Sequence, residues 1–289
     1  MPDSCRAIIL MRRSLYGAAI FAAFAFTGAA NAAIITSLTD SFTGTSIDPT
    51  KWNAIDKGLE STGPAGYNAP SESAGGLSLG GTTNNSYWYG SSLESVNTFS
   101  ITQPTTVSVD RVSLSGSGSA FRSSLWIIGS DGNDYIQFAQ DHSESGWEIN
   151  ALGSPTQSGN TAGDTTSADT PTNSGESIAA FNAALNDLGS HTMELQFTPI
   201  AGNEVSIQPF LDGIAGPIYT FSDWTSPDFN VVLTGQARAN DDTVDAVFEN
   251  FSAAVVPEPS SLTLALLGFA ALGLVVRVRR SSPVCAAIS

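Results

Sequence analysis

The feature that most constrains the fold is an alternation of apolar and polar residues with a period of two, which recurs in short segments between residues 33 and 255. In an extended chain, Met193, Leu195 and Phe197 lie on one face and the residues between them lie on the other. The same spacing recurs in three further pairs: Val107 with Val109, Val205 with Ile207, and Val231 with Leu233. Runs rich in Gly, Asn, Asp and Pro separate such segments, at residues 129–134, 199–203 and 212–217. Many short strands between turns predict an all-β module over residues 33–255, with two sheets packed face to face.

One segment of the module departs from this period. Residues 153–177 are rich in Ser, Thr, Gly, Asn and Pro and have no apolar periodicity. Apolar residues then recur at helical spacing before Gly189, at Ile178, Phe181, Leu185 and Leu188. The pattern predicts a polar surface loop over 153–177 and a short helix over 178–188 that covers an edge or a face of the sandwich. A loop of this length is typically functional or disordered, and disorder is the expectation here.

The charges of the chain are unevenly distributed. Its 289 residues include 27 acids and 11 Lys or Arg, for a net charge of −16. Two of the acids and six of the bases lie outside residues 33–256, which leaves 25 acids, 5 bases and a net charge of −20 within them. So acidic a module repels phosphate backbones, which argues against nucleic-acid binding as its main activity. Both cysteines, Cys5 and Cys285, lie outside the module, so its sheets must hold without a disulfide.

The N-terminal 32 residues have the order of a secretory signal. Three features follow one another: the basic pair Arg12 and Arg13, an apolar run from Leu15 to Phe26, and the small residues Ala30 and Ala32. This order predicts cleavage by signal peptidase after Ala32, with Met11 as the true start. The alternative is a buried N-terminal helix.

The C-terminal segment, residues 256–280, combines a short motif, an uncharged run and a basic cluster. The motif is Pro257-Glu258-Pro259, the uncharged run spans residues 260–276, and the cluster is Arg277, Arg279 and Arg280. Seventeen residues make a helix of about 25 Å, which spans a bilayer when the arginines snorkel to its surface. The positive-inside rule makes residues 281–289 a cytoplasmic tail and places the acidic module outside the membrane. The alternative is that the segment is a C-terminal membrane anchor and has no sorting function.

This combination resembles the PEP-CTERM sorting signal of exported bacterial proteins. The resemblance implies recognition of Pro257, Glu258 and Pro259 by an exosortase, a membrane protease that cleaves near the motif. It also implies a cell-surface or extracellular-matrix location in bacteria that make exopolysaccharide and biofilm. The nine residues after Arg280 depart from such signals, which usually end almost at once.

A second resemblance lies at both ends of the module. Asp40–Thr45 with Ile47–Trp52 resembles the opening of concanavalin A-like lectin and glucanase sandwiches, and Phe210–Gly213 resembles a turn near their end. Val247–Phe251 resembles their closing strand. The resemblance implies a concanavalin A-like jelly roll in which the first and last strands are neighbours.

Candidate catalytic residues are few. The retaining glucanases of this fold carry Glu-x-Asp-x-Glu or Glu-x-Asp-x-x-Glu on one strand, and no such string occurs here. Glu144 and Glu148 are the nearest pair and are expected on a solvated hairpin, while Asp241, Asp242 and Asp245 are expected to cap a turn. His142 and His191 belong to no recognisable catalytic motif, and His191 is expected to begin a strand. No catalytic residue is therefore assigned.

Metal binding has one candidate group. Asp131, Asn133 and Asp134 supply oxygen ligands that calcium accepts. The same residues are ordinary turn formers, and a turn without a metal is the expectation. We predict no cofactor.

Aromatic residues are the candidates for sugar binding, because their faces stack on pyranose rings. Tyr87, Trp88 and Tyr89 follow two asparagines, and Trp224 lies between polar residues. The alternative is that these four aromatics belong to the sandwich core. The leading hypothesis is a non-catalytic envelope or matrix protein that associates with exopolysaccharide. A divergent glycan hydrolase or lyase and a structural matrix protein without a defined ligand are the alternatives.

Overall fold

The computed structural model describes residues 32–55, 66–82, 88–142, 146–153, 155–158, 176–239 and 241–256. The predicted signal sequence up to Asn31, residues 257–289 with the sorting motif and tail, Tyr87 and Glu144 lie outside them, as does most of the predicted polar loop. The described residues form strands and one short helix. The strands are β1 (Ser37–Asp40), β2 (Trp52–Ile55), β3 (Gly66–Ser73), β4 (Gly76–Thr82), β5 (Tyr89–Ser95), β6 (Phe99–Ser100), β7 (Thr105–Ser117), β8 (Phe121–Gly129), β9 (Tyr135–His142), β10 (Gly146–Leu152), β11 (Thr156–Ser158), β12 (Glu176–Ser177), β13 (His191–Ala201), β14 (Glu204–Leu211), β15 (Ile214–Ala215), β16 (Ile218–Phe221), β17 (Asp228–Ala237) and β18 (Thr243–Val255), and the helix is α1 (Ala179–Leu185).

The strands form two sheets, and the paired strands within each sheet are antiparallel. The ten-stranded sheet has the order β11-β16-β14-β13-β7-β18-β4-β3, with β1 also on β18 and β15 also on β14. The eight-stranded sheet has the order β12-β10-β9-β8-β17-β5-β2, with β6 also on β17. The predicted all-β sandwich is confirmed.

The period of two fixes which side chains enter the core. In β13, Met193, Leu195 and Phe197 are buried while the residues between them are not. Its partner β14 buries Val205, Ile207 and Leu211 in the same way, because Phe197 lies opposite Ile207 and Met193 opposite Leu211. The hairpin thus presents one continuous apolar face to the opposite sheet.

The first and last strands are neighbours. Ser37 pairs with Ala254 and Asp40 with Phe251. Beside this pairing, the rings of Phe42 and Trp52 lie 5.6 Å apart and those of Trp52 and Phe251 lie 4.9 Å apart. The two chain segments that begin and end the fold are therefore joined by both backbone and aromatic contacts.

Helix α1 is shorter than the pattern over 178–188 predicts, and side chains from the sheets bind carbonyls at and beyond its C-terminal end. Trp147 Nε1 donates to the Leu185 carbonyl at 2.8 Å. Arg111 Nη2 donates to the carbonyls of Asp187 at 3.3 Å and Gly189 at 2.8 Å. Ile178 and Leu188 still pack on the core from outside the helix. The segment after the helix is therefore tied to the sheets by hydrogen bonds and by apolar contacts.

The two faces of the eight-stranded sheet differ in chemistry. In β8, Leu125 and Ile127 belong to the core between the sheets, while Trp126 belongs to a small separate cluster with Tyr135 and Val232. Because side chains alternate between the two faces of a sheet, the residues that share the face of Trp126 point away from the core. This second face is also buried and is mostly polar.

Candidate functional site

The second face of the eight-stranded sheet brings together side chains from four adjacent strands. We call it the polar face and define it by its buried polar residues: Arg122, Ser124, Gln137, Asp141, Glu148, Asn150, Thr234 and Gln236. Cross-strand pairing aligns them in rows, with Arg122 opposite both Asp141 and Gln236, and Gln137 opposite Asn150. Each of these side chains belongs to a residue that is at most 3 % exposed.

Arg122 is the charged centre of the polar face. Its Nε donates to Gln236 Oε1 at 2.9 Å, and its Nη1 lies 3.8 Å from Glu148 Oε1. Glu148 also accepts a hydrogen bond of 2.9 Å from Asn150 Nδ2. A buried guanidinium is tolerated only with such partners, because an unpaired charge loses its hydration without compensation.

Two amides of the polar face keep an unused atom. Gln137 Nε2 donates to Ser124 Oγ at 2.7 Å, and Gln236 Oε1 accepts from Arg122. Within the part of the chain that the structure describes, Gln137 Oε1 and Gln236 Nε2 are buried and have no hydrogen-bond partner. A buried unsatisfied polar atom costs about 1–3 kcal/mol. The described residues therefore leave one acceptor and one donor of this face without a hydrogen bond.

Trp88 lies at the rim of this face and is partly exposed. The guanidinium carbon of Arg122 lies 4.1 Å from the centre of the Trp88 ring, and that of Arg238 lies 5.9 Å from it. Arg238 is exposed. Two of the five basic residues of the acidic module thus converge on one tryptophan, an arrangement that stabilises a stacked guanidinium.

The other predicted aromatics take different positions. Tyr89 is 5 % exposed and Trp224 is 0 % exposed, so these two candidates for sugar binding are buried. The backbone N–H of Trp224 donates to the Asn203 carbonyl at 2.9 Å, and its ring is buried in the core. There it makes edge contacts with Phe197 at 5.8 Å and Phe221 at 5.0 Å. Trp224 is therefore part of the core despite its polar sequence neighbours.

Glu148 is also placed differently from its sequence expectation. A solvated hairpin was predicted around Glu144 and Glu148, but Glu148 is 3 % exposed and lies within β10. Sequence reasoning missed the polar face because its members alternate with core residues in strands that read as apolar. The recurring Gln, Asn, Ser and Thr at alternate positions of β8, β9, β10 and β17 are the signal that could have found it.

The remaining titratable candidates have structural roles. His191 begins β13, and its Nδ1 lies 2.7 Å from Asp212 Oδ2. Asp242 Oδ2 accepts from Ser119 N at 3.0 Å, Ser119 Oγ at 2.8 Å, Ala120 N at 3.1 Å and Ala239 N at 3.2 Å. Burial alone would raise the pKa of Asp242, but these donors outweigh it and lower that pKa. Asp242 caps a turn, as predicted.

Asp131, Asn133 and Asp134 form a hydrogen-bonded turn. Asn133 N donates to Asp131 Oδ1 at 3.0 Å, and this backbone bond is the main cause of the lowered pKa of Asp131. Thr225 N donates to Asp134 Oδ2 at 2.7 Å. Among the described residues, no group of three or more His, Cys, Asp or Glu side chains could hold a metal ion.

An open depression of about 500 Å³ lies elsewhere, where β1 meets β18. It is lined by Thr39, Asp40, Ser41, Lys51, Asn250 and Phe251. Lys51 Nζ and Asp40 Oδ2 lie 3.4 Å apart, and Trp52 Nε1 donates to the same carboxylate oxygen at 3.0 Å. Its charged groups are therefore already partnered within the protein.

Comparison with known proteins identifies one motif. Residues 255–280 match the model of the PEP-CTERM protein-sorting motif, which confirms the predicted sorting signal. No curated protein matches the chain. The described residues include no helix of the length and apolarity needed to cross a bilayer.

Several solved structures resemble the chain at low identity. The endo-β-1,3-glucanase of Pyrococcus furiosus is 11 % identical, with 78 % of this chain and 95 % of that chain covered and a TM-score of 0.48. The β-glucanase of Bacillus licheniformis is 16 % identical, with 77 % and 99 % covered and a TM-score of 0.48. The carbohydrate recognition domain of Emp47p is 12 % identical, with 77 % and 96 % covered and a TM-score of 0.43. The C-terminal match is the one with functional content: the chain carries a PEP-CTERM sorting motif, which implies export, exosortase processing and a membrane-anchored precursor.

Proposed function

We propose that the exported module associates with polysaccharide of the cell envelope or matrix without cleaving it, through Trp88 and the polar face behind it. The observation that carries the proposal is the pair of unused atoms, Gln137 Oε1 and Gln236 Nε2, in a face built of amides and charged groups. A sugar hydroxyl both donates and accepts, so neighbouring hydroxyls suit both atoms. The face of Trp88 away from Arg122 suits a pyranose ring.

Exposure favours one direction of approach. The polar face is nearly closed to solvent, whereas Trp88 is partly exposed and Arg238 is exposed. A glycan chain therefore meets Trp88 and Arg238 first, and its hydroxyls reach the amides only when the cover of the polar face moves aside. A signal peptide ending at Ala32 and the sorting motif at Pro257–Pro259 bring the module to this setting.

The engagement of Glu148 favours binding over cleavage. Its Oε1 already accepts from Asn150 and faces Arg122. A general acid must reach the glycosidic oxygen, and this carboxylate is instead held by protein groups.

One observation supports a hydrolase as the second candidate. Asp141 lies opposite Gly146, two residues from Glu148 on the neighbouring strand and on the same face. Such diagonal neighbours are about 7–8 Å apart in a sheet, and two carboxyl groups at that separation can flank a glycosidic bond.

A glycan array probed with the detergent-solubilised full chain tests the first candidate. Binding to at least one polysaccharide is expected, with a loss of tenfold or more in the W88A variant and in Q137L. The matched control is I214A, which alters an exposed side chain of another strand and should bind like the wild type. No binding to any glycan would count against the proposal.

Release of reducing sugar from the same polysaccharides tests the second candidate. We expect none. Release that disappears in both D141N and E148Q would replace the binding proposal with the hydrolase, and release that persists in both would exonerate these two acids.

A further inference from the structure

Both ends of the described fold leave the sandwich at the same place. The Val255 N–H donates to the Thr36 carbonyl at 2.9 Å, and the Val256 N–H donates to the Pro104 carbonyl at 2.8 Å. Ile34 forms a bridge with Thr98. We call this the terminal end, defined by Ile34 and Val256 and by the strand ends and turns level with them.

The terminal end collects exposed apolar side chains. The described residues expose five large ones: Ile34 at 60 %, Ile200 at 51 %, Val256 at 47 %, Ile214 at 40 % and Leu152 at 39 %. Strand register shows where Ile200 lies, because Phe197 pairs with Thr105, and Thr105 pairs with Val255. The end of β13 that carries Ile200 is therefore level with Val256.

The eight-stranded sheet places Leu152 at the same end. Leu152 pairs with Tyr135, and Tyr135 pairs with Ile128 near the end of β8. The next residue, Gly129, pairs with Phe229, which in turn pairs with Phe99 beside the Ile34 bridge. Ile214 differs, since it pairs with Leu211 at the far end of β14. Four of the five exposed apolar side chains among the described residues thus share the end from which the chain leaves.

The sorting segment keeps this end close to lipid. Five residues, 257–261, separate Val256 from Leu262, where the uncharged apolar run begins. At about 3.5 Å per extended residue, they hold the terminal end within roughly 20 Å of the hydrocarbon. A short tether makes even a weak contact frequent, because it raises the effective concentration of the two surfaces.

We propose that the terminal end is a membrane-contact surface in the anchored precursor, with Ile34, Leu152, Ile200 and Val256 at the level of the lipid headgroups. Exposed apolar side chains gathered on one surface mark contact sites, and the tether leaves the bilayer as the nearest occupant. Asp131 and Asp223 are exposed on turns at this end, so the surface suits zwitterionic lipid and is repelled by anionic lipid.

Quenching by lipid tests this orientation in the full chain. Cys5 and Cys285 are changed to Ser, and a single cysteine replaces Leu152, Ile200 or Ile214 and carries an environment-sensitive fluorophore. Each protein is reconstituted into phosphatidylcholine vesicles with and without lipid that carries a nitroxide at the headgroup. L152C and I214C are a matched pair, because their native side chains are equally exposed and Ile214 lies at the end of β14 that is away from the terminal end.

We expect quenching at positions 152 and 200 to exceed that at 214 by threefold or more, and to weaken when anionic lipid is added. Equal quenching at 152 and 214 would overturn the proposal. A second result would also overturn it: the fluorophores are protected from aqueous iodide, this protection grows with the protein-to-lipid ratio, and the lipid nitroxide does not quench them. A second copy of the chain would then cover this end.

The unmodified chain provides an independent measurement. Amide hydrogen exchange in the β13–β14 turn should slow in vesicles relative to detergent, while the turn at residues 212–217 should be unchanged. Unchanged exchange in both turns would contradict the contact whatever the cysteine variants do. Neither measurement depends on glycan binding.

Discussion

At the scale of single residues, the buried pair of Arg122 and Glu148 is the most consequential contact of the polar face. Removing one partner of a buried ion pair leaves a lone charge and costs about 3–5 kcal/mol. We expect that loss in the unfolding free energy of R122M, measured by urea denaturation.

The double variant R122M/E148Q should regain most of that loss. Gln at position 148 has no charge to compensate and keeps an oxygen for Asn150 Nδ2. R238M removes a cation that is exposed, and we expect it to lose less than about 1 kcal/mol. A double variant as unstable as R122M would show that the pair stabilises the fold by its packing and not by its charges.

Asp242 gives the fold a dependence on pH. Its pKa is lowered in the folded chain by the Ser119, Ala120 and Ala239 donors acting against burial. A carboxylate of this kind stabilises the fold above its unfolded pKa of about 3.9 and loses that contribution as the pH falls through the lower folded value. D242A should therefore unfold more easily than the wild type by about 1–2 kcal/mol at pH 7, with the gap closing below pH ~4.

Thermal unfolding from pH 3 to pH 7 measures that gap. The control is D223N, which alters an exposed aspartate and should show no gap at any pH. A gap for D242A that stays constant down to pH 3 would mean that the side chain stabilises through packing alone.

Single residues also mark where sequence reasoning fails. Asp242 and His191 were placed correctly because a turn and a strand start are local features. Trp224 is buried despite its polar sequence neighbours, because it packs on Phe197, which is distant in sequence, and on Phe221 of β16. Glu148 was placed wrongly because its partner Arg122 belongs to another strand.

At the scale of elements, close approach of the two sheets depends on a glycine. A Cβ on Gly235 of β17 would lie 2.3 Å from the Leu79 carbonyl oxygen of β4, in the opposite sheet. Backbone must move to admit it, so G235A should lose about 3 kcal/mol. G75A is the control, because its nearest atom would be Ser73 Oγ at 3.8 Å, and it should change the stability by less than about 0.5 kcal/mol. Urea midpoints measure both, and equal midpoints would show that the sheets separate easily.

Elements were more predictable from the sequence than single residues. The alternation in β13, β14 and β17 identified strands because period two reports burial on one side directly. The helix was identified as an element, but its end at Leu185 was not, since the apolar spacing continues to Leu188, which packs on the core from outside the helix. The pattern of β8 and β9 hid the polar face, because both faces of the eight-stranded sheet are buried there.

At the scale of the whole molecule, Trp88 and the terminal end lie at opposite ends of the same strands. β8 runs from Phe121, which pairs with Ala237 near Trp88, to Gly129, which pairs with Phe229 at the terminal end. Nine residues at about 3.3 Å each separate these ends by roughly 25 Å. The module therefore presents Trp88 and Arg238 away from the bilayer while its terminal end rests on it, an orientation suited to meeting matrix polysaccharide.

The sorting segment and the terminal end should hold the module to the membrane with different strengths. Cutting the chain between them measures the two contributions separately. Four apolar side chains bury less surface than a single fatty acyl chain, and one such chain already gives only marginal membrane binding. We insert a site for a specific protease between Val256 and Pro257 in the full chain and reconstitute it in phosphatidylcholine vesicles. After cleavage, most of the module should remain in the supernatant when the vesicles are sedimented, and it should bind glycan as before. The uncleaved protein should sediment with the vesicles. A cleaved module that stays on the vesicles would show that the terminal end is an anchor in its own right. Electrostatic retention would not explain that result, because the net charge of −20 opposes binding to any anionic component.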